Sequence, residues 1–323
     1  MISIDDGLAR FLEEELDEVG GIFESQLEGE HDIINQICRH VESYRGKMLR
    51  PSLVLLSALA SGVDEMSTSH RIIAAVVEMI HMATLVHDDV LDEANTRRGG
   101  RTVNDLHGNE MAVMLGDYLI SNAFHLCSSI NRPEVNLLLG STTNTLCEGE
   151  LIQLGNRQNM DIGEDTYFTI VKKKTASLIG ASCRLGAALT NDDDVVASRL
   201  ERFGVASGIA FQITDDLLDL VGEEDVVGKS VGRDLEKGKL TLPIIYALGD
   251  ADAGLREHLV KMIQSRDLVG LRDAVNESGA IDRAMKKAAS LVDVAKSELQ
   301  ELPETPARDL LALLADGILE RRY

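Results

Sequence analysis

Three aspartates lie within five residues of one another in an otherwise apolar stretch. Asp88, Asp89 and Asp92 belong to the segment from His87 to Asp92, and apolar residues recur at helical spacing before it. Because residues four apart lie on one face of a helix, one turn from each other, Asp88 and Asp92 are expected to stack. Like charges at this spacing destabilise an isolated helix. The pattern therefore predicts that cations neutralise these carboxylates.

A second polar group repeats this arrangement in another predicted helix. Its members are Gln212, Asp215, Asp216 and Asp219. Gly204 and Gly208 continue the same helical stripe, although glycine inside a helix costs roughly 1 kcal/mol relative to alanine. Two glycines beside the acids suggest that something bulky comes close to the backbone there.

The residue types narrow the choice of metal and of ligand. Carboxylate oxygens without cysteine suit Mg²⁺ rather than Zn²⁺, and Mg²⁺ usually shares its coordination with water and phosphate oxygens. The basic clusters near the acids are Lys47 and Arg50, Arg97 to Arg101, Lys172 to Lys174, and Lys229 to Lys239. One acidic motif alone is better interpreted as solvated surface, but two on separate apolar helices favour a diphosphate held by metal ions.

These motifs lie on helices that the hydrophobic pattern predicts. Apolar residues recur at helical spacing over 71–94 and over 201–221. Further helices are predicted over 8–28, 31–45, 50–62, 110–130, 134–155, 166–190, 240–248, 254–264, 280–300 and 306–321. No stretch alternates in the manner of a β-hairpin. The sequence therefore predicts an all-α fold with one domain over 1–323, large enough to surround a cavity.

Composition excludes several classes of protein. With 54 acidic and 32 basic residues among 323, the formal net charge of −22 argues against binding to nucleic acid or to an anionic membrane surface. A hydrophobic content of 44% excludes intrinsic disorder. The longest apolar runs fall short of the roughly 18 residues of a transmembrane segment. The acidic N-terminus is unlike a secretory signal and predicts a cytoplasmic protein.

The order and spacing of the motifs resemble the trans-polyprenyl diphosphate synthases over about two hundred residues. The matching segments are Gly46 to Pro51, Asp88 to Asp92, Arg97 to Gly99, Lys174 to Ala176, Phe211 to Asp219, and Gly228 to Pro243. Met48 and Arg45 depart from the arginine and glycine common at these positions, whereas Lys47 and Arg50 are intact. The resemblance implies the isoprenoid synthase fold, a single helical domain around a central hydrophobic cavity, usually as a homodimer.

The resemblance also implies a reaction. Enzymes of this family condense isopentenyl diphosphate head to tail with dimethylallyl, geranyl, farnesyl or geranylgeranyl diphosphate. The implied cofactor is Mg²⁺, about three ions per active site, with Mn²⁺ as a substitute. Departure of pyrophosphate leaves an allylic carbocation, which the isopentenyl double bond attacks before a proton is lost.

Each motif acquires a role from the resemblance. The metal ligands would be Asp88, Asp92 and Asp215, with Asp89 and Asp219 supporting them. The allylic diphosphate would be bound by Arg97, Lys174, Lys229 and Lys239, and isopentenyl diphosphate by Lys47, Arg50, His81 and Arg98. The Lys174 backbone, Thr175 and Gln212 would direct oxygen dipoles at the carbocation. Without the resemblance, His81 would be interpreted as an ordinary core histidine.

Two small residues bear on product length. Ala83 and Thr84 lie five and four residues before Asp88, at positions that line the floor of the product cavity in the family. A large aromatic residue there stops chain growth early. We therefore expect a product longer than geranylgeranyl. The alternative is a short-chain farnesyl or geranylgeranyl diphosphate synthase in which a deeper residue closes the cavity.

Other classes of protein fit the sequence less well. An HD-type phosphohydrolase, suggested by His87 and Asp88, needs further histidine ligands and leaves the second acidic motif unexplained. Terpene cyclases and head-to-head synthases usually lack the Lys47 and Arg50 pair and the segment from Gly238 to Pro243. A noncatalytic regulatory subunit of a heteromeric synthase typically loses one carboxylate motif, and both are present here.

Overall fold

The protein is built almost entirely from α-helices. The computed structural model describes residues 6–42, 46–190, 194–222 and 231–321, so the predicted ligand Lys229 and the departure at Arg45 lie outside the described residues. The structure is 79% helical, which confirms the all-α prediction. Contacts group the chain into two compact units, while the assignment of 1–323 to one domain stays a prediction.

The first unit comprises Met1–Thr143, Ala181–Glu201 and Leu302–Leu311. The elements along its first segment are α1 (Asp6–Leu27), α2 (Asp32–Glu42), α3 (Leu49–Ala60), α4 (Thr68–Leu91), β1 (Thr96–Arg97), β2 (Gly100–Arg101), α5 (Val103–His107), α6 (Asn109–Ser128) and the start of α7 (Pro133–Gly155). Helix α4 packs against α1, α3 and α6. Ile73, Val76 and Val77 on α4 are fully buried, so this helix is at the core of the first unit.

Helix α4 begins and ends earlier than the predicted 71–94. A capping box between Ser67 and His70 starts it, and Asp92 is its C-cap residue. By length and composition α4 could cross a membrane, but 67% of its apolar window is buried inside the protein. Its hydrophobicity is therefore explained by packing.

A short antiparallel hairpin follows α4. Thr96 pairs with Arg101, and Arg97 pairs with Gly100. The two turn residues, Arg98 and Gly99, have φ angles of 49° and 79°, as in the tight turns whose twist matches that of paired strands. The sequence pattern does not predict this hairpin because strands of two residues are too short to alternate visibly.

The second unit comprises Asn144–Gly180, Arg202–Glu301 and Ala312–Tyr323. Its elements include the end of α7, α8 (Glu164–Val171), a π-helical turn (Lys172–Ala176), the start of α9 (Ser177–Ala188), most of α10 (Asp194–Val221), α11 (Arg233–Glu236), α12 (Leu242–Asp250), α13 (Ala253–Ser265), α14 (Leu268–Glu277), α15 (Ala280–Leu299) and the end of α16 (Pro306–Gly317). Its buried core includes Ile213, Leu217 and Leu242.

The helix predicted over 166–190 is interrupted. The π-helical turn separates α8 from α9, and the Ser177 N–H donates to the Lys172 carbonyl five residues earlier. Gly149 allows α7 to approach this turn, since a Cβ there would lie 2.6 Å from the Lys174 nitrogen. A Cβ on Gly208 would lie 2.8 Å from the Ala176 Cα. The bulky neighbour expected beside Gly208 is therefore the protein's own π-helical turn.

Two helical glycines of the first unit give a matched pair for a stability prediction. A Cβ on Gly186 would collide with the Val54 carbonyl oxygen, whereas one on Gly140 would meet no atom within 4 Å. We expect Gly186→Ala to lower the free energy of unfolding by about 1–3 kcal/mol or more. Gly140→Ala should raise it by up to about 1 kcal/mol, because alanine is the better helix former. Equal midpoints of thermal unfolding for both variants would contradict this packing.

Candidate active site

The first acidic motif lies at the end of α4. Asp88 is in its last turn, and the backbone N–H of Asp92 donates to the Asp88 carbonyl at 2.8 Å. Both side chains are half-buried. The two carboxylates therefore come from adjacent turns, as their spacing predicts, and remain accessible to a bound ion.

Asp89 is buried and anchors the neighbouring hairpin. The residue is 1% exposed, and its side chain accepts hydrogen bonds from Arg97 Nε at 3.0 Å and Arg97 Nη2 at 2.8 Å. Burial raises the pKa of Asp89, and the Arg97 guanidinium opposes this shift. Asp89 thereby fixes Arg97 beside the acidic motif.

Cationic side chains gather around His81 in the first unit. Burial lowers the pKa of His81 well below its usual range, and the charges of Arg50, Arg98 and Arg97 lower it further. Burial also lowers the pKa of Arg50 to about 10. At neutral pH His81 is therefore uncharged and Arg50 charged.

Two features of this cationic cluster suit an anionic ligand. Arg50 Nε is buried and has no hydrogen-bond partner in the part of the chain that the structure describes. The loop carrying the exposed Lys47 approaches Arg98, since a Cβ on Gly46 would lie 2.5 Å from Arg98 Nη2. Arg50, His81 and Arg98 thus lie close enough to influence one another's charge.

Glu78 is a member of this cluster that the sequence analysis missed. It lies on α4 with 3% of its surface exposed. Its negative charge raises the pKa of both Arg50 and Arg98, against the effect of their burial. An acid at a core position of an apolar helix, three residues before His81, was the available signal.

The predicted chain-length residues differ in exposure. Ala83 is fully buried, whereas Thr84 is half-buried. The Thr84 hydroxyl donates to the His81 carbonyl at 2.7 Å. A ring introduced at position 83 must displace packed neighbours, while one at position 84 has space on its exposed side.

The second acidic motif, on α10, divides its carboxylates among different partners. Asp215 is half-buried, and its Oδ1 lies 3.5 Å from Arg321 Nη2. The Arg321 guanidinium also lies 4.0 Å above the ring of Phe211. A side chain near the C-terminal end thus supplies a positive charge beside Asp215.

Asp219 interacts with backbone groups instead. Its Oδ1 accepts a hydrogen bond from the Arg233 N–H at 3.2 Å, and its Oδ2 accepts one from the Asp234 N–H at 3.0 Å. Burial raises its pKa, and these two hydrogen bonds oppose the shift. Asp219 therefore holds the start of α11. This fits the expectation that it supports the metal ligands rather than binding the metal itself.

A pocket of the second unit brings together four residues predicted from the sequence. Lys174, Thr175, Gln212 and Lys239 all line it. The Thr175 hydroxyl donates to Gln212 Oε1 at 3.0 Å, and the Lys174 ammonium pairs with Glu150. The pocket combines ammonium groups with side-chain oxygens, as required to bind a diphosphate beside a developing positive charge.

The same pocket contains Tyr167 and Asp216, to which the sequence analysis gave no role. The Tyr167 hydroxyl donates to Asp216 Oδ2 at 2.6 Å. Burial raises the pKa of Asp216 well above its usual range, and the charge of Asp234 adds to this. Burial likewise raises the pKa of Tyr167, so its hydroxyl stays protonated. The sequence spacing alone does not link two residues that lie 49 positions apart.

Comparison with known proteins decides the family. The model of the family described as polyprenyl synthetase matches residues 31–277. The chain belongs to the polyprenyl synthetase family. It is accordingly a prenyltransferase of the all-α isoprenoid synthase fold.

Three similar proteins illustrate the range of the family. Heptaprenyl diphosphate synthase component 2 of Bacillus subtilis is 34% identical over 97% of this chain and 90% of its own length. Geranylgeranyl pyrophosphate synthase of Geoglobus acetivorans is 35% identical over 98% of this chain and 97% of its own. A Caulobacter crescentus polyprenyl synthase, solved with calcium and isoprenyl diphosphate, has a TM-score of 0.92 at 32% identity over 99% and 98% of the two chains.

The acidic side chains of this prenyltransferase suit a metal that substrate helps to bind. Among the described residues, no three Asp, Glu, His or Cys side chains come together as a metal site. Mg²⁺ is usually bound through one or two carboxylates, with water and phosphate oxygens completing its coordination. The half-buried Asp88, Asp92 and Asp215 fit such shared coordination. In Asp89, Asp216 and Asp219 both carboxylate oxygens accept hydrogen bonds from the protein, whereas Asp215 is paired through Oδ1 with Arg321.

Proposed function

We propose that the chain is a Mg²⁺-dependent synthase that adds isopentenyl units to an allylic diphosphate and releases a product longer than geranylgeranyl diphosphate. The main support is that each unit places accessible carboxylates of α4 or α10 near cationic side chains. Asp88, Asp92 and Asp215 would hold the metal ions. When bound, Mg²⁺ would supply positive charge to the departing pyrophosphate.

Arg97, Lys174 and Lys239 are the described residues proposed to bind the allylic diphosphate. Arg97 is held in place by Asp89, so its position is fixed before substrate arrives. Lys174 and Lys239 line one pocket with Thr175 and Gln212. The remaining predicted ligand of this diphosphate, Lys229, lies outside the described residues.

Isopentenyl diphosphate would be bound by the cationic cluster of the first unit, formed by Lys47, Arg50, His81 and Arg98. The buried Arg50 Nε, without a protein partner among the described residues, would donate to a diphosphate oxygen. His81 is uncharged at neutral pH and would donate a neutral hydrogen bond. The cluster therefore provides strong anion binding from Arg50 with orientation from His81.

The reaction needs no nucleophile from the protein. As pyrophosphate departs, positive charge develops on the allylic carbon, and the double bond of isopentenyl diphosphate attacks it. The oxygens of Thr175, Gln212 and the Lys174 backbone would face this charge. The proton lost in the last step would go to the released pyrophosphate. The product is an allylic diphosphate that is longer by one isoprene unit and can react again.

The function is tested by incubating the purified chain with isopentenyl diphosphate and each of the four allylic primers. We expect Mg²⁺-dependent elongation past the geranylgeranyl length. Accumulation of farnesyl or geranylgeranyl diphosphate as the final product would overturn the long-chain part of the proposal. Release of phosphate without elongation would overturn the proposal as a whole.

Product length gives a prediction for α4. In Thr84→Phe and Ala83→Phe, the added ring should occupy space that the growing chain needs, and chromatography of dephosphorylated products should show shorter alcohols. The ring at position 83 must also displace packed neighbours, at a cost of about 1–3 kcal/mol in stability. Thr84→Ser keeps the hydroxyl and adds no bulk, so it serves as the control. If both phenylalanine variants are folded and active but their products are unchanged, positions 83 and 84 of α4 do not limit product length.

A homodimer is part of the proposal. Met114 on α6 and Leu137 on α7 are large apolar side chains of the first unit and are 61% and 76% exposed. A subunit interface would cover such side chains. Light scattering should then give twice the 35.2 kDa mass of the chain.

The second candidate is a subunit of a heteromeric synthase. It is favoured by the name of the Bacillus subtilis relative, a component of heptaprenyl diphosphate synthase. The two candidates differ in one result: a heteromeric subunit elongates primers only after its partner is added, whereas the homodimer does so alone.

The proposal also places the enzyme in the cytoplasm, where its charged substrates dissolve. Among the described residues α4 is long and apolar enough to cross a membrane, but 67% of its apolar window is buried within the protein, which supports a location outside the membrane. Fractionation of cells should recover the chain without detergent.

A further inference from the structure

A continuous chain of hydrogen bonds runs along one wall of the pocket in the second unit. The Tyr167 hydroxyl donates to Asp216 Oδ2 at 2.6 Å, and Gln212 Nε2 donates to Asp216 Oδ1 at 2.8 Å. The Thr175 hydroxyl donates to Gln212 Oε1 at 3.0 Å. All four residues line the pocket. The chain thus links α8, α10 and the π-helical turn.

The donors and acceptors in this chain determine how the Gln212 carboxamide is turned. Asp216 accepts at both oxygens, one from a hydroxyl and one from the amide nitrogen. Turning the amide by half a rotation would place its oxygen against an oxygen of Asp216 and its nitrogen against the Thr175 hydroxyl. Because the Tyr167 hydroxyl occupies Oδ2 and Oδ1 is the acceptor that faces Gln212, this orientation would lose the hydrogen bond at Asp216 Oδ1. Asp216 therefore directs Gln212 Oε1 towards Thr175.

The residues that turn the amide are rigidly held. Tyr167 is 4% exposed and Asp216 is 5% exposed, whereas Gln212 and Thr175 are half-buried at the pocket wall. Buried hydrogen bonds of this kind are strengthened by the low local dielectric and specify one arrangement. The buried pair is thus suited to hold the two accessible side chains in a fixed geometry.

We infer that Tyr167 and Asp216 are positioning residues that lock the oxygens of Gln212 and Thr175 into one orientation towards the developing allylic carbocation. The inference rests on the proposed role of Gln212 and Thr175 at that charge. It separates Asp216 from its neighbour Asp215 in the same motif, because both oxygens of Asp216 are already engaged by the protein. Preorganised dipoles are effective because they need no reorganisation during the reaction.

A double-mutant cycle between Asp216 and Gln212 tests the inference. Asp216→Asn is isosteric, but its amide can donate to Gln212 and so turn the carboxamide round. We expect it to lower kcat about tenfold or more, as loss of an orienting partner usually does, with the KM for both diphosphates nearly unchanged. In the Gln212→Ala background the same change should have little further effect on kcat, because no carboxamide remains to be oriented.

Tyr167→Phe provides a second variant, and Tyr246→Phe is its matched control. Tyr246 is also 4% exposed and donates to a carboxylate, Glu164, at 2.8 Å. Both variants lose a buried tyrosine hydrogen bond and should unfold at slightly lower temperature. Tyr167→Phe alone should lower kcat, whereas equal effects of the two variants on kcat would reduce Tyr167 to a structural role and overturn the inference.

The cycle separates failure of the inference from failure of the proposed function. If Asp216→Asn lowers kcat by the same factor in both backgrounds, or raises the Mg²⁺ concentration needed for half-maximal activity, Asp216 acts independently of Gln212 and the inference is wrong. If the unaltered chain fails to condense the two diphosphates, the proposed function is wrong and the inference falls with it.

Discussion

Replacing Asp88 or Asp215 with alanine is expected to lower the turnover number for prenyl transfer by at least about three orders of magnitude, which corresponds to about 4 kcal/mol of activation free energy. Each variant removes a carboxylate that would hold Mg²⁺ against the leaving pyrophosphate. The loss should persist when Mg²⁺ is raised, because the ion would be displaced from the geometry that the reaction needs. Steady-state incorporation of labelled isopentenyl diphosphate measures the effect.

The thermal stability of these variants distinguishes a metal-binding role of Asp88 and Asp215 from a purely structural one. Asp88→Ala removes a like-charge pair with Asp92, which favours a higher unfolding midpoint. A loss of activity without a lower midpoint would then point to the metal site rather than to the fold. Asp64→Ala and Asp273→Ala, at exposed positions in the first and second units, are controls that should keep full activity. Near-normal condensation by Asp88→Ala or Asp215→Ala at the usual Mg²⁺ concentration would contradict the metal site.

Replacing Arg50 with alanine is expected to raise the KM for isopentenyl diphosphate by about 10- to 150-fold, the equivalent of the roughly 1.5–3 kcal/mol of a charged hydrogen bond. Arg50 is half-buried and charged, and its buried Nε lacks a protein partner among the described residues. The KM for the allylic primer should change much less. His81→Ala should shift the same constant by a smaller factor, because His81 is uncharged at neutral pH.

Arg39→Ala is the matched control for this experiment. Arg39 lies on α2 and is exposed, so its removal should leave both Michaelis constants unchanged. A rise confined to the KM of the allylic primer in Arg50→Ala would mean that the two diphosphate subsites are reversed.

The parts of the site that depend on helical spacing could be predicted from the sequence. Asp88 and Asp92 lie on adjacent turns of α4 because four residues make about one turn. Lys174, Thr175 and Gln212 were named by resemblance, and the structure brings them to one pocket. The long helices were predicted because each buries a periodic apolar face.

The parts that depend on contacts between distant residues could not be predicted. The π-helical turn at Lys172–Ala176 is accommodated by a glycine of α7, and no local pattern marks it. The pairing of Asp216 with Tyr167, and of Asp219 with the start of α11, joins segments that only the fold brings together. In the second motif, spacing placed three acids on one face but did not reveal that both oxygens of Asp216 and of Asp219 accept hydrogen bonds from the protein, or that Arg321 lies beside Asp215.

The stoichiometry of the reaction catalysed by the purified chain alone tests the central claim most directly. Labelled isopentenyl diphosphate, farnesyl diphosphate and Mg²⁺ are supplied, and pyrophosphate release and label incorporation are measured together. The account predicts equal amounts of both, continued past the geranylgeranyl length, and no pyrophosphate release when isopentenyl diphosphate is omitted. Pyrophosphate or phosphate released without incorporation, or incorporation that begins only after a second polypeptide is added, would contradict it.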